Sequence, residues 1–434
     1  MIKAVLSRKW DANLLELIKG SGLAFAVKLL AAGGAFLLNL VVARQLGAEG
    51  AGYFFLALSL VTLLAVLSMQ GFNNVLVRFL SAYKAEGNQA RMAQVYALAI
   101  KRIVPMALVV SLALFLLSDW VSQVIFNKPA LRPVLAIMAM AILPIALAQT
   151  HGYVFQGAKR IVASMLSLSA ALPLLLVPAV LILRVETAEL AAWCYLLAVT
   201  AVSIGALLYW RSYADPAWSA PEAYVISEAT GPLKSMFLII LMGQLTMWAG
   251  QLILGAFASA EDVALFASAQ RTALLTSFVL IAVNAIAAPK FAEFYRKNDL
   301  AGLRSTAIFS GRLMSLIAVP TLLVMLIGAP WLMSLFGDEF TKAALLLQVL
   351  AIGQFINVIS GSVGYLLQMT GHERALRNNM VVSTLIVVVL GPLSVHLYGA
   401  AGMAVITAVA VSTQNILSVY QVNKELGFNT MKIW

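Results

Sequence analysis

The chain has 434 residues, of which 62% are apolar and only 11% charged, with a formal net charge of +11. Soluble domains are about half apolar and about a quarter charged, so a soluble enzyme or a separate soluble catalytic domain is excluded. Continuous apolar runs of 16 to 27 residues also exclude a transmembrane barrel, whose strands alternate over about ten residues, and leave an all-α integral membrane bundle.

The first twenty residues, with Lys3, Arg8, Lys9, Asp11, Glu16 and Lys19, lack the apolar stretch of a cleavable signal peptide. The first span is therefore expected to act as its own insertion signal. Apolar runs between charged or turn-rich breaks predict twelve spans, at about 21–43, 53–72, 103–118, 134–155, 161–183, 190–210, 233–257, 263–288, 308–335, 343–369, 380–396 and 402–422. The longest polar break, Arg211 to Pro232, contains Pro216, Pro221 and Pro232 and reads as a linker. It divides the chain into an N-terminal lobe (1–215), a cytoplasmic linker (216–232) and a C-terminal lobe (233–434).

A cytoplasmic N-terminus puts 22 of the 29 Lys and Arg inside, counting Lys234 and Arg312 at the cytoplasmic ends of their spans, with Arg44, Lys128, Arg132, Arg184 and Lys342 outside and Lys28 and Arg271 deeper within spans. By the positive-inside rule both termini are then cytoplasmic. The positive charge reports membrane orientation and attraction to anionic membrane lipids, not nucleic-acid binding. A shift of 212 residues relates Ala48 and Glu49 to Ala260 and Glu261, Phe79 and Tyr83 to Phe291 and Tyr295, and Gly152, Tyr153 and Gln156 to Gly364, Tyr365 and Gln368. A six-helix unit present twice is a parallel repeat, and such two-lobed bundles commonly enclose a cavity for alternating access.

Cys194 is the single cysteine, and His151, His372 and His396 are scattered, so neither a disulfide framework nor a metal cluster is expected, and no cofactor. All 18 carboxylates lie outside the spans, which disfavours a conventional proton or sodium site and cationic drug binding. Lys28 in helix 1 and Arg271 in helix 8 remain inside, each at about 2.5–3.5 kcal/mol near the bilayer centre. Two readings are open for them: contact with an anionic substrate, or snorkelling to the interface.

Lys28, Ala32, Ala35 and Asn39 share one helical face; Gln244 and Gln251 stand seven apart in helix 7; and Gln354, Asn357, Gly361, Tyr365 and Gln368 share a face of helix 10. Amides of this kind either line a polar path or glue membrane helices together. Gln70, Asn73, Asn74 and Arg78 would place donors at a cytoplasmic mouth. Pro105, Pro144, Pro173, Pro178, Pro289, Pro320, Pro330 and Pro392 are candidate kinks. A cavity with cations and amides but no carboxylate suits an anionic, hydrogen-bonding substrate such as a sugar diphosphate, whose unaided crossing would cost tens of kcal/mol. A lipid tail on such a substrate could stay in the bilayer.

The segment LLNLVVARQLGAEGAGYFFLALSLVTLLAVLSMQGFNNVLVRFLS, Leu37 to Ser81, resembles the start of the polysaccharide or O-antigen flippases of the multidrug/oligosaccharidyl-lipid/polysaccharide exporter (MOP) superfamily. The Arg-x-Leu-Gly turn of that family falls on Arg44, Leu46 and Gly47, with Gly52 and Gly71 after it. GYLLQMTGHERALRNN, with Gly371, Arg374 and Arg377, resembles the family's turn between helices 10 and 11. The resemblance implies a MATE-like fold in the bacterial inner membrane, and no enzymatic activity. Its substrate would be oligosaccharide linked to undecaprenyl diphosphate, flipped before polymerisation for O-antigen, lipopolysaccharide, capsule or exopolysaccharide assembly, with polysaccharide polymerase machinery as a candidate partner. Set against that picture, the charge reading offers Lys28 and Arg271 as diphosphate or acidic-sugar contacts. Arg78 is offered as a contact at the cavity mouth, Gln244, Gln251 and Asn357 as sugar contacts, and Asn39 as part of the polar face.

The alternatives are a multidrug antiporter, expected to carry a carboxylate where Lys28 stands, and a peptidoglycan-precursor flippase, which typically has two further helices. A major-facilitator transporter would need a charged loop where GFNNVLVRFLSAYK stands. From another class, a membrane glycan polymerase or ligase would need a larger outer loop than Asp119 to Arg132 provides.

Overall fold

The computed structural model of the chain describes residues 12–213 and 233–431. The expected linker, 216–232, lies outside them, as does the side chain of Lys28, whose backbone belongs to the first helix. Among the described residues all regular structure is helical. Nine helices among the described residues are long and apolar enough to cross a membrane, and ten if the bent pair Leu131–Ala139 and Ile142–Gly157 is one span. Two of the nine, Leu29–Ser68 and Glu373–Leu426, run for 40 and 54 residues. As straight helices these would measure about 60 and 80 Å against a hydrocarbon core of about 30 Å. Each contains one glycine with non-helical dihedrals, Gly47 at φ 67° and Gly399 at φ 57°, in a region that side chains beyond glycine seldom enter. Dividing them there gives the twelve helices that hydropathy predicts.

In chain order these are α1 (12–46), α2 (48–68, continued after a break as Phe72–Ala85), α3 (Gln89–Leu116), α4 (Leu131–Ala139 with Ile142–Gly157), α5 (Ile161–Ile182) and α6 (Ala188–Tyr213). The second six are α7 (Leu233–Phe257), α8 (Ala260–Ala273 with Phe278–Arg296), α9 (Leu300–Ile327), α10 (Ala344–Ile359 with Val363–Met369), α11 (373–398) and α12 (400–426). Helices α3 and α9 are each 28 residues long and start on caps 211 positions apart. The Asn88 side chain accepts from the Arg91 amide at 3.0 Å, and that of Asp299 from the Gly302 amide at 2.8 Å. Both begin well before the apolar stretch read from sequence, with N-terminal portions that carry Arg91, Lys101 and Arg102 or Arg304 and Arg312.

The prolines divide into two groups. Pro105, Pro178, Pro289 and Pro320 lie inside unbroken helix. Irregularities fall at Gly47, Gly71 and Gly399, in a 3-10 turn over Leu274–Ser277, in the 44° bend of α4 just before Pro144, and in π-helical turns over Leu166–Ala170 and Ile386–Leu390. Each π turn stands just before a proline, Pro173 or Pro392. A proline has no N–H for the carbonyl four residues back and its ring crowds that carbonyl, at Ser169 and Val388 respectively. Widening the turn relieves the clash without ending the helix.

The core follows α2, where Phe54, Phe55, Leu56, Met69 and Phe72 are fully buried. Its partner is α8, and the approach is close because Gly52 lies against the carbonyl of Ala260, where a Cβ would collide with backbone. Small residues permit such contacts between membrane helices. Past Arg102 in α3 (Leu108, Val109, Leu112, Leu116) and past Arg312 in α9 (Leu316, Leu323, Ile327) the exposed outer faces are apolar, as surfaces against lipid should be.

Candidate functional site

Chain alternation puts the Gly47 turn, the α3–α4 loop, the α5–α6 turn, the α7–α8 turn, the α9–α10 loop and Gly399 at one end of the bundle. At this Gly47 end the first and last six helices meet tightly: Leu56 fills the space beside Gly255, Gly52 abuts Ala260, and the Phe36 and Phe336 rings pack edge-on at 5.6 Å.

Farther along the bundle a cavity of about 420 Å³ lies between the two sets of helices. The α2 side provides Asn73 and Asn74, α4 provides Gln149 and Tyr153, and α7 provides Gln244 and Trp248. These groups are brought to one place because Gly71, at φ 88°, breaks α2 immediately before Asn73. The Trp248 Nε1 donates to Gln244 Oε1 at 2.9 Å, which leaves the Gln244 amide nitrogen free to donate elsewhere. The Asn73 Oδ1 is buried without a partner. No carboxylate and no cation lines this cavity among the described residues, so it offers hydrogen bonds and aromatic faces to a neutral, hydroxyl-rich ligand.

The structure separates the residues named from sequence. Gln244 is in the cavity wall. Arg271 sits about 16 Å along α8 from Ala260, midway along the apolar stretch Ala260–Leu280, with its guanidinium 4.5 Å from the centroid of the buried Phe55 ring. Its Nη1 is buried and unpartnered. One residue earlier, Gln270 Oε1 accepts from Gln251 Nε2 at 3.1 Å, while Gln251 Oε1 has no partner. Asn357 is engaged within the C-terminal half: its Nδ2 donates to Ser277 Oγ and Gln354 Oε1, both at 3.3 Å, and Ser277 donates to Gln354 at 2.7 Å. That network joins α8 to α10 and is helix glue. Asn39 donates at 2.6 Å to the Ala35 carbonyl of its own helix. Arg78 is exposed beyond Gly71, its guanidinium 5.8 Å from the Phe79 ring centroid.

Gln149, Tyr153 and Trp248 were not among the sequence candidates. Gln149 had a visible signal, an amide inside an apolar run. Tyr153 and Trp248 had none, since aromatics are common in any span. Two loop groups at the Gly47 end were also missed. Lys128, buried between the α3 and α4 segments, donates from Nζ to the carbonyls of Phe126, Gly255 and Ala258 at 3.0, 2.7 and 2.6 Å. Burial pushes its ammonium below the usual lysine range, partly offset by Asp262. Glu339 accepts from the Ala48 amide at 2.9 Å. Among the described residues no group of three or more His, Cys, Asp or Glu could hold a metal ion.

Comparison with solved structures gives the class. A multidrug resistance MATE family transporter of the MOP superfamily, in an inward-facing conformation, superposes with a TM-score of 0.77 at 13% identity, covering 91% of this chain and 94% of that one. The lipid II flippase MurJ, in an inward closed conformation, gives 0.73 at 11% identity over 92% and 87%. A MOP superfamily transporter from Pyrococcus furiosus gives 0.69 at 14% identity over 94% and 96%. The fold is that of the MOP transporters, an all-α multi-pass membrane architecture. Within it, the chain belongs to the polysaccharide biosynthesis protein family, whose sequence model matches residues 17–295. Among curated proteins, the probable low-salt glycan biosynthesis flippase Agl15 of Haloferax volcanii is 24% identical over 176 residues, a stretch covering 40% of this chain and 37% of that protein.

Proposed function

We propose that the protein is a flippase for lipid-linked oligosaccharide, moving undecaprenyl-diphosphate-linked units from the cytoplasmic to the outer leaflet of a bacterial inner membrane by alternating access. The observation that carries the reading is the amide- and aromatic-lined cavity between the two halves, free of carboxylates among its lining residues. Sugars are recognised by such groups: amides exchange hydrogen bonds with hydroxyls, and aromatic rings stack on the apolar faces of pyranoses. Membership of a polysaccharide biosynthesis family and the flippase description of the Haloferax volcanii relative support the same substrate class.

Two six-helix lobes, 1–215 and 233–434, joined by the linker 216–232, would move against each other around this cavity. Arg271, held at membrane depth with an unpartnered Nη1, is the candidate contact for the diphosphate or an acidic sugar. Lys28, placed by sequence on α1, is the second candidate cation, and Arg78 is offered at the mouth. Gln251 and Asn357 support neighbouring helices, with the free Gln251 Oε1 still able to accept from a sugar hydroxyl. The excess of Lys and Arg on the end opposite Gly47 orients that end, and both termini, toward the cytoplasm. Product units would pass to polymerase machinery on the outer side.

Vesicles containing the purified protein and a fluorescent lipid-diphosphate oligosaccharide test the reading. An impermeant quencher should gain access to the inner-leaflet pool only with protein present. A neutral headgroup in place of the diphosphate should abolish the effect, and no movement with any supplied glycan would exclude this substrate class.

A further inference from the structure

We propose that Lys128 and Glu339 are a matched pair of latches that hold the two halves together at the Gly47 end and release when that end opens, a proposal that rests on the alternating-access reading above. Lys128 comes from the α3–α4 loop of the first half and reaches the second. The carbonyls that it grips are those of Gly255, in the last turn of α7, and of Ala258, the residue after the helix ends at Phe257, at 2.7 and 2.6 Å. Carbonyls there have no helical partner and carry the negative end of the helix dipole, so a cation suits them. With the Phe126 carbonyl of its own loop, all three ammonium hydrogens are used.

Glu339 makes the reverse crossing from the α9–α10 loop. Its Oε2 accepts from the amide of Ala48, the first N–H of α2, at 2.9 Å. Gly47 before it has no side chain to cap the helix, so α2 receives its cap from the opposite half. The corresponding start of α8 is self-sufficient, because Ser259 and Asp262 form a reciprocal capping box.

The two latches stand 211 positions apart, and the turns they hold, Gly47–Ala48 and Ser259–Ala260, stand 212 apart. Each half thus extends its third loop over the first turn of the other. The charge differs according to which side of the turn is gripped: a lysine for the carbonyls before it, a glutamate for the amide after it. Separation of the halves at this end must break three interhalf hydrogen bonds, and the freed groups are left facing water. Bonds of this strength bias an equilibrium without freezing it.

Spin labels at Glu186 and Tyr398, exposed positions in the α5–α6 turn and beside Gly399, report the width of this end. In a Cys194→Ser background without glycan, the parent should show mainly a short distance. Lys128→Met and Glu339→Ala should each lower the ratio of short to long distances by about tenfold, and the double variant further. Lys128→Arg, which keeps the cation, should retain most of the short population and shows that replacement at 128 is tolerated by the fold. An unchanged distribution in a monodisperse double variant overturns the proposal. Because the readout needs no substrate, a shifted distribution together with failure to flip any lipid-linked glycan would keep the latches and discard the substrate reading.

Discussion

The Arg271 guanidinium lies 4.5 Å from the centroid of the Phe55 ring, so the cation of α8 is held on the face of a fully buried aromatic of α2. Stacking of this kind contributes about 0.5–2 kcal/mol and leaves the edge of the guanidinium available for hydrogen bonds. The contact joins the two halves, while the unpartnered Nη1 keeps donor capacity in reserve.

Arg271→Ala should therefore abolish glycan export while the protein still reaches the membrane, since an alanine is cheaper than a cation at that depth. Arg271→Lys should restore only part of it, because an ammonium cannot form the planar two-pronged contact with an anion. Surface polysaccharide at matched protein level is the measurement; normal polysaccharide in the alanine variant would remove Arg271 from the site.

Gln244 faces the cavity with its carbonyl already taken by Trp248. Gln244→Glu puts a negative charge where none lines the wall, and the initial flipping rate of a lipid-diphosphate glycan should fall at least about tenfold by like-charge repulsion. Gln244→Asn should cost less, and Trp248→Phe should weaken transport by releasing the amide from its fixed orientation. Equal rates for Glu and Gln at this position would mean that the diphosphate passes elsewhere.

Gly52 and Gly33 make an internal control. A Cβ at Gly52 would collide with the Ala260 backbone, whereas nothing lies within 4 Å of one at Gly33. Gly52→Ala should destabilise by about 1–3 kcal/mol or more through overpacking, and Gly33→Ala should be neutral or stabilise by up to about 1 kcal/mol through helix propensity. Thermal melting in detergent reads the difference.

Glu293 and Lys297 form an exposed pair one helical turn apart at 2.6 Å. The lysine holds the carboxyl below its usual range, and the carboxylate holds the ammonium above its own. The pair's contribution is thus complete at neutral pH, fades as acid takes the pH down through the depressed carboxyl value, and fades in base as the pH rises through the elevated ammonium value. Solvent and salt screen it, so Glu293→Gln should melt with the parent in high salt and differ slightly, if at all, in low salt.

Much of this was legible in the sequence because lipid imposes simple rules. Apolar runs of sufficient length must be helices, so each of the twelve expected spans overlaps a described helix, most ends agreeing within several residues, although α3 and α9 begin earlier with polar segments and α9 ends earlier, at Ile327. The internal repeat was visible because equivalent turns need equivalent residues. The absence of carboxylates from the spans was a matter of counting, and it bore directly on what the cavity could bind.

Tertiary structure decided what each polar residue does, because an amide in a span has the same appearance whether it faces a cavity or a neighbouring helix. Asn357 and Asn39 resemble Gln244 in sequence, yet one is bound into a network with Ser277 and Gln354, one to its own helix, and only Gln244 of the three lines the cavity. Where the helices yield was only partly visible: glycine dihedrals, the α4 bend before Pro144 and widened turns before Pro173 and Pro392 provide the breaks, while several other prolines sit in unbroken helix. Lys128 and Glu339 read as ordinary outer-loop charges until folding set them against helix ends in the opposite half, since a charge takes its meaning from the partner at hydrogen-bonding distance and that partner lies more than a hundred residues away.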